Sequence, residues 1–226
     1  MKRSEINREI LNSKKLFESI GFKLPVFASW SPEDWTGMGD EVDEIVENSL
    51  GWDVTDYGLG DYNKVGLFLF TIRNGNYKNR DKYPKGYAEK IMVIKENQLA
   101  PMHFHWNKRE DIINRGGGIL SLTLYKADKD ENLGDEEFSV SIDGVRKNLK
   151  PGAVVLLNPG ESICLEPYIY HSFTGVNGDV VVGEVSDVND DENDNRFFEP
   201  IGRFPTIEED EKPIHLLCNE YVKWKK

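Results

Sequence analysis

The hydrophobic pattern of the first fifty residues is that of short amphipathic helices. Apolar side chains first recur at the spacing of one helical face at Ile6, Ile10, Phe17 and Ile20. Ser4 is suited to cap the start of this helix, and Gly21 is the residue type that commonly ends one. Ser31 followed by Pro32 predicts a second helical start, and the apolar residues of the range 40–50 predict a third short helix. We expect residues 1–52 to form a helical cap that packs on the main body.

From residue 53 onwards, the pattern changes to short apolar segments separated by Gly, Asn and Pro. Strands are predicted over residues 64–73, 87–95, 120–125, 138–142, 153–157, 161–165 and 180–185. Because no helical pattern intervenes, these strands predict an antiparallel sandwich or barrel. We therefore predict a mainly-β fold, with a barrel over residues 53–226 that forms one structural domain with the helical cap. The tail over residues 214–224 could add an edge strand or pack on a neighbouring subunit.

Composition and charge narrow the partners and the compartment. The 226 residues include 40 acidic and 28 basic side chains, and the formal net charge of −12 disfavours electrostatic binding to nucleic acids or anionic membranes. The N-terminus lacks the apolar segment of a signal peptide, and no apolar run is long enough to span a bilayer. Cys164 and Cys218 are far apart, which favours two buried thiols in a reducing compartment. We expect a cytoplasmic protein.

Histidines in one short segment carry the most specific chemistry. His103 and His105 are one residue apart, so on a strand both imidazoles point to the same face. Glu110 follows where a turn could return a carboxylate to the same point, and His171 ends another strand-like run. Imidazole nitrogens and a carboxylate form a mixed site that suits Mn, Fe, Co, Ni or Zn. The sequence therefore predicts that these four residues bind a divalent metal ion.

The same segment matches the first cupin motif, in which His-x-His precedes a spaced Glu and Gly, here His103, His105, Glu110 and Gly117. Residues 159–171 match the second motif more loosely. Longer runs resemble the bacterial D-lyxose isomerases, namely residues 1–4, 51–55, 87–92, 101–106, 108–118, 159–165, 183–186, 188–191 and 217–221. The resemblance implies a cupin (jelly-roll-like) β-barrel, a divalent metal that is typically Mn²⁺, and a homodimer. It also implies interconversion of free D-lyxose with D-xylulose, and of D-mannose with D-fructose.

Aldose–ketose isomerisation moves a hydrogen between C1 and C2, which needs a Lewis acid together with an acid and a base. Glu184 interrupts an apolar strand, so burial should raise its carboxyl pKa and suit it to act as the general base. Lys108, between two predicted metal ligands, is a second candidate catalytic residue because it could donate to an alkoxide or enediolate. The candidates for substrate binding are Lys90, Asp190, Arg196 and Trp106.

Other functions remain open from the sequence alone. The same metal ligands would serve O₂ chemistry in a dioxygenase, and the barrel could instead be a non-catalytic module that binds a sugar or an effector. A phosphosugar isomerase is disfavoured by the negative charge, since phosphate groups usually need Arg or Lys clamps. The acidic run over residues 187–194 predicts a solvated surface loop.

Overall fold

A computed structural model of the protein describes residues 1–224. Two α-helices lie near the N-terminus, α1 (Arg3–Ser19) and α2 (Asp43–Glu47). Short 3₁₀ helices span Val26–Ser29, Pro32–Trp35, Asp40–Val42 and Tyr221–Lys223. The strands are β1 (Gly51–Thr55), β2 (Leu67–Arg73), β3 (Tyr87–Ile94), β4 (Leu99–Phe104), β5 (Glu110–Lys126), β6 (Phe138–Ile142), β7 (Val145–Leu149), β8 (Ala153–Leu157), β9 (Ser162–Leu165), β10 (Ile169–Asp187) and β11 (Arg196–Phe197).

The two longest strands, β5 and β10, hold the sheet together. Strand β10 pairs with β3, β4 and β5, while β5 also pairs with β8 and β9. The main path runs β1-β2-β3-β10-β5-β9-β6-β7, and β11 attaches to β4. All pairings between these strands are antiparallel. The predicted mainly-β class with an N-terminal helical extension is confirmed.

Successive residues of a strand point to opposite faces of the sheet, and each face buries its own apolar cluster. The inner face encloses the barrel core, which includes Leu69, Met92, Ile112, Leu122 and Val182. The outer face, formed by the alternate residues of β1, β2 and β3, packs against Ile6, Ile10 and Phe17 of α1. The predicted apolar face of the first helix is therefore the face that contacts the sheet. The division of the chain at residue 52 stays a prediction.

The N-terminal helices follow the predicted pattern with one difference. Gly21 has a φ of +75°, the left-handed conformation that ends a helix, and Ser31 caps the short helix Pro32–Trp35. Ser4, however, lies inside α1, where its hydroxyl donates to the Asp210 carboxylate at 2.7 Å. The predicted cap is wrong because a distant carboxylate near the C-terminus binds this serine.

The C-terminal tail packs on its own chain. Among the described residues it forms no strand: Leu217 makes a single bridge with Trp52, and Leu216 and Tyr221 are buried. Strand β1 was not predicted, because all of its positions are buried and it shows no alternation of apolar and polar residues.

Gly117 of the motif allows the two longest strands to approach closely. Its φ is +94°, and a Cβ atom there would lie 2.1 Å from the carbonyl oxygen of Asp179. Any side chain would therefore push β5 away from the chain that leads into the second half of β10.

Two smaller expectations concern the membrane and the thiols. Of the helices within residues 1–224, none has the length and apolar character needed to cross a membrane. Cys164 and Cys218 are free thiols that are only half-buried, so the prediction of buried thiols is wrong in its burial.

Candidate active site

Three histidines meet inside the barrel. His103 on β4 and His171 on β10 are direct cross-strand partners, and His105 follows the last residue of β4. Their ligand nitrogens all lie within 4.8 Å of one another. The antiparallel pairing of β4 with β10 is thus what brings the distant His171 to the histidine pair.

Main-chain carbonyl groups fix the tautomer of each imidazole. Nδ1 of His103, His105 and His171 lies 2.8, 2.6 and 3.0 Å, respectively, from a carbonyl oxygen. Because a carbonyl oxygen only accepts, Nδ1 carries the hydrogen and Nε2 presents its lone pair. Burial, together with the neighbouring His171 and His105, holds the pKa of His103 well below its usual range. Neutral rings in this tautomer are the form that binds metals through Nε2.

Glu110, the first residue of β5, directs its carboxylate at the histidines. Its Oε1 lies 3.0 Å from Nε2 of His171 and 3.5 Å from Nε2 of His105. Within residues 1–224 this buried oxygen has no hydrogen-bond partner, although buried polar atoms are normally paired. A carboxylate oxygen that faces imidazole lone pairs needs a cation to balance them. The donor set therefore fits a divalent metal ion.

Lys108 connects this cluster to a second buried carboxylate. Its Nζ lies 2.7 Å from Glu110 Oε2 and 2.9 Å from Glu184 Oε1. Lys90 Nζ approaches the same oxygen of Glu184 at 3.5 Å, because Lys90 on β3 and Glu184 on β10 are cross-strand partners. All four side chains are buried. Attraction between the neighbouring ammonium and carboxylate groups therefore offsets the free-energy cost of removing them from water.

These pairings outweigh burial in setting protonation. Burial acts to raise the pKa of Glu184, but Lys108 and Lys90 hold it below the usual value. The predicted rise of the Glu184 pKa is therefore wrong, because the sequence indicated burial but not the two ammonium groups. Burial also opposes ionisation of Glu110, yet the ammonium group of Lys108 holds its pKa well below the usual range. Burial would lower the pKa of Lys108, but Glu110 and Glu184 raise it.

The acidic run after β10 supports the site instead of forming a fully solvated loop. Asn189 Oδ1 accepts from Lys90 Nζ at 2.6 Å and from Lys108 Nζ at 3.4 Å. The buried Asp194 accepts the backbone N–H of Lys108 at 2.9 Å, and its carbonyl oxygen is the partner of His105 Nδ1. The solvated-loop prediction is thus wrong for these positions, because their basic partners are distant in sequence.

Sequence reasoning missed Asp53, Asp191 and Arg203, which extend the chain of charges. Arg203 Nη2 lies 3.0 Å from Asp191 Oδ2 and also pairs with Asp53 on β1, while Lys90 Nζ lies 3.6 Å from Asp191 Oδ1. Asp53 interrupts an apolar strand, the same signal that singled out Glu184. Arg203 lies outside every helix and strand of the described residues, so no local pattern indicated it.

One cavity borders most of the predicted residues, namely His103, His105, Lys108, Glu110, His171, Glu184 and Lys90, together with Asp191 and Arg203. The other predicted residues do not line it. Trp106 Nε1 donates to Glu131 at 2.7 Å, Arg196 pairs with the same carboxylate at 3.2 Å, and Asp190 accepts from Asn193 at 2.9 Å. Sugar contacts by Trp106, Arg196 and Asp190 stay predictions.

Known proteins of closely similar sequence share the whole length of the chain. The D-lyxose isomerase family model matches residues 1–221. A D-lyxose/D-mannose isomerase of Serratia proteamaculans is 49% identical over 99% of this chain and 99% of its own. A D-lyxose/D-mannose isomerase of Escherichia coli O157:H7 is 48% identical over 100% of both chains.

Solved structures of L-ribose isomerases share the fold at much lower identity. The Acinetobacter sp. DL28 enzyme in complex with L-ribose aligns with a TM-score of 0.59 at 15% identity, over 91% of this chain and 98% of that chain. The Cellulomonas parahominis enzyme with L-ribose aligns with a TM-score of 0.56 at 14% identity, over 92% and 98%. The predicted cupin-like barrel is thus confirmed. Because the family model and the two curated relatives match nearly every residue, this chain belongs to the D-lyxose isomerase family, a family of sugar isomerases.

Proposed function

We propose that the protein is a metal-dependent aldose–ketose isomerase that interconverts D-lyxose and D-xylulose, and also D-mannose and D-fructose. The family and the names of the two curated relatives support the choice of sugars. The single observation that carries the reaction type is the contact of a predicted metal ligand, Glu110, with the buried Lys108–Glu184 ion pair. That contact supports the proposal that a Lewis-acid site and an acid–base pair share one cavity.

The metal ion would be held by His103, His105, His171 and Glu110. Nε2 lone pairs fixed by carbonyl groups, and a buried carboxylate oxygen that lacks a hydrogen bond, support this assignment. When bound, a divalent cation there supplies Lewis-acid stabilisation for negative charge on sugar oxygens. We propose Mn²⁺, as the family resemblance implies, while the nitrogen and oxygen donors also suit Zn²⁺, Co²⁺, Ni²⁺ or Fe²⁺.

Glu184 is proposed as the general base. Its carboxylate is held ionised by Lys108 and Lys90, so it can take a proton from C2 of the aldose and return it to C1. The hydroxyl on C2 loses a proton and the oxygen on C1 gains one, so substrate and product have the same composition. Lys108 and Lys90 are ammonium groups beside the base, suited to donate hydrogen bonds to oxygen atoms of the sugar as charge develops there.

A free sugar suits this cavity better than a phosphosugar. The cations on the cavity wall, Lys90, Lys108 and Arg203, are each paired with carboxylates. A phosphate group would have to compete with those carboxylates for its Arg or Lys clamp. The hydroxyl groups of an uncharged sugar can bind without breaking the ion pairs.

Homodimerisation and a cytoplasmic location complete the proposal. The first is implied by the family resemblance. The second is supported by the two free thiols, which are typical of a reducing compartment.

The proposal is tested by chelator-treated protein assayed for D-xylulose from D-lyxose, before and after Mn²⁺ is restored. We expect turnover to disappear with the metal and to return with it. The matched control is the same protein carried through the treatment without chelator. Metal-loaded protein that forms no ketose from D-lyxose or D-mannose would refute the isomerase. O₂ uptake would then indicate a dioxygenase, and sugar binding without product a non-catalytic module.

A further inference from the structure

Arg203 is a half-buried cation that the proposed reaction does not use. It lies in the segment after β11 and borders the cavity that holds the three histidines. Its Nη2 atom bridges Asp191 of the acidic loop and Asp53 of β1. Its Nη1 atom is buried and has no partner within residues 1–224.

An unpaired guanidinium nitrogen in the interior is costly, because buried donors are normally hydrogen-bonded. Within the described residues, the buried side-chain atoms without partners are Tyr62 Oη, Tyr83 Oη, Glu110 Oε1 and Arg203 Nη1. Only the last two belong to residues that border this cavity. Glu110 Oε1 is accounted for by the predicted metal ion. Arg203 Nη1 is the remaining donor, and it has no assigned partner.

The charges around Arg203 define which group could be that partner. Asp53 and Asp191 already neutralise the guanidinium, and Asp191 is shared with Lys90. An anionic ligand would therefore be repelled by two carboxylates. A neutral hydroxyl group can accept a hydrogen bond from an arginine N–H without disturbing either ion pair.

The position of Arg203 relative to the histidines suggests which hydroxyl group is bound. The ion pairs run from Glu110 through Lys108, Glu184, Lys90 and Asp191 to Arg203. Glu110 belongs to the metal end of this chain of contacts, and Arg203 lies several contacts away along it. A sugar whose C1 and C2 lie near the metal ligands would extend its other carbons along the cavity.

We infer that Arg203 is a specificity-determining residue whose Nη1 donates a hydrogen bond to a hydroxyl group on C4 or C5 of the sugar. This inference rests on the proposed function, because it takes the reacting end of the sugar to be at the histidines. It assigns the recognition of the distal hydroxyl groups to the segment after β11, outside the motifs that hold the metal ligands.

The test compares D-lyxose with its 4-deoxy and 5-deoxy analogues on wild type and on Arg203→Lys. Lysine keeps a positive charge between Asp53 and Asp191, but its single nitrogen leaves no counterpart of the Nη1 donor. For wild type, kcat/KM should fall by about tenfold or more on one of the two deoxy sugars. Arg203→Lys should lower kcat/KM on D-lyxose by a similar factor, yet change it less than about threefold on that deoxy sugar.

A purely structural role would give a different pattern. Arg203→Lys would then lower kcat/KM by the same factor on all three sugars, which would overturn the inference. Arg146→Lys is the matched control, since Arg146 is an exposed residue of β7, and it should match wild type on every sugar.

The wild-type data alone also decide the matter if Arg203→Lys does not fold. Equal kcat/KM on D-lyxose and both deoxy sugars would show that no distal hydroxyl group is recognised, and the inference would fail. A wild type that converts none of these sugars would instead refute the proposed function itself.

Discussion

The two ends of the barrel interior are built from the same strands but hold opposite kinds of side chain. Along β10, Val180 and Val182 belong to the apolar core, while Glu184, two residues later, joins the buried ion pairs. Strand β3 changes in the reverse direction, with Lys90 at the charged end and Met92 in the core. The same alternation of inward-facing residues along each strand therefore forms the apolar core at one end of the barrel and the buried ion pairs at the other.

The apolar end and the charged end should contribute differently to the stability of the protein and to its reaction. A fully buried aliphatic side chain contributes roughly 1.5–3 kcal/mol through removal of apolar surface from water. Buried ion pairs add little net stability, because the loss of hydration is comparable with the attraction between the charges. We therefore expect the apolar end to set the free energy of unfolding and the charged end to set the rate of reaction.

The largest expected effect is on turnover at the charged end. Glu184→Gln keeps the shape of the side chain but removes the proposed base, so kcat should fall by about 10²–10⁴-fold. Measurement of D-xylulose formation and of bound metal checks this, and metal content should match wild type. Glu137→Gln, at an exposed carboxylate, is the control and should keep the wild-type kcat. An active Glu184→Gln variant would exclude Glu184 as the base.

Substitution in the apolar end should reverse that result. Leu122 is fully buried in the core, so Leu122→Ala should lower the free energy of unfolding by about 2–5 kcal/mol. Urea unfolding checks the loss, and kcat per folded molecule should stay close to wild type. Val154→Ala, at a residue that is 60% exposed, should cost less than about 0.5 kcal/mol. Equal losses in both variants would contradict the position of the core.

Metal removal should affect the charged end of the barrel and leave the apolar end unchanged. If Mn²⁺ binds only the folded chain, a free concentration of about one hundred times Kd adds about 2.7 kcal/mol to the free energy of unfolding. Chelation should remove this increment in wild type and, by the same amount, in Leu122→Ala. Unfolding curves that do not depend on Mn²⁺ would show that the histidine cluster binds no metal in the folded protein.

The smallest expected effect belongs to His215, which lies outside the barrel. Its Nδ1 donates to the carbonyl oxygen of Trp30 at 2.7 Å, and its Nε2 lies 2.6 Å from Lys14 Nζ. Burial lowers the pKa of His215 and outweighs the hydrogen bond to the Trp30 carbonyl group, which raises it; the charge of Lys14 adds to the lowering and that of Asp34 opposes it. The unfolded chain therefore binds a proton at a higher pH than the folded chain does.

This difference in the pKa of His215 should make the free energy of unfolding depend on pH. Stability should fall as pH drops below the unfolded pKa of about 6.5, and the fall should end at the folded pKa. His215→Gln removes this contribution, so its stability should change less between about pH 8 and pH 5, by under roughly 1 kcal/mol because the ring is partly exposed. A pH dependence identical to wild type would show that His215 is not its source.

Local patterns predicted the elements that have a regular period. The apolar face of α1 and the strands over residues 138–142 and 153–157 were recognisable because helical and strand periods are written in adjacent residues. The pairing of His103 with His105 needed only the two-residue period of a strand. Glu184 was found as a charge in an apolar strand, a signal that is also local.

The fold class, the family resemblance and the candidate metal ligands that meet in the cavity could all be predicted from local sequence patterns. The partners of the buried charges could not, because they depend on how the strands pair. Lys90 and Glu184 are separated by 94 positions in the sequence, yet they face each other because β3 pairs with β10. Burial alone predicts a rise of the Glu184 pKa, but Lys108 and, through that strand pairing, Lys90 lower it. The energy of an ion pair depends on the distance between the charges in space. The alternation of apolar and polar residues within one strand does not show which distant strand it pairs with, so it could not predict these contacts.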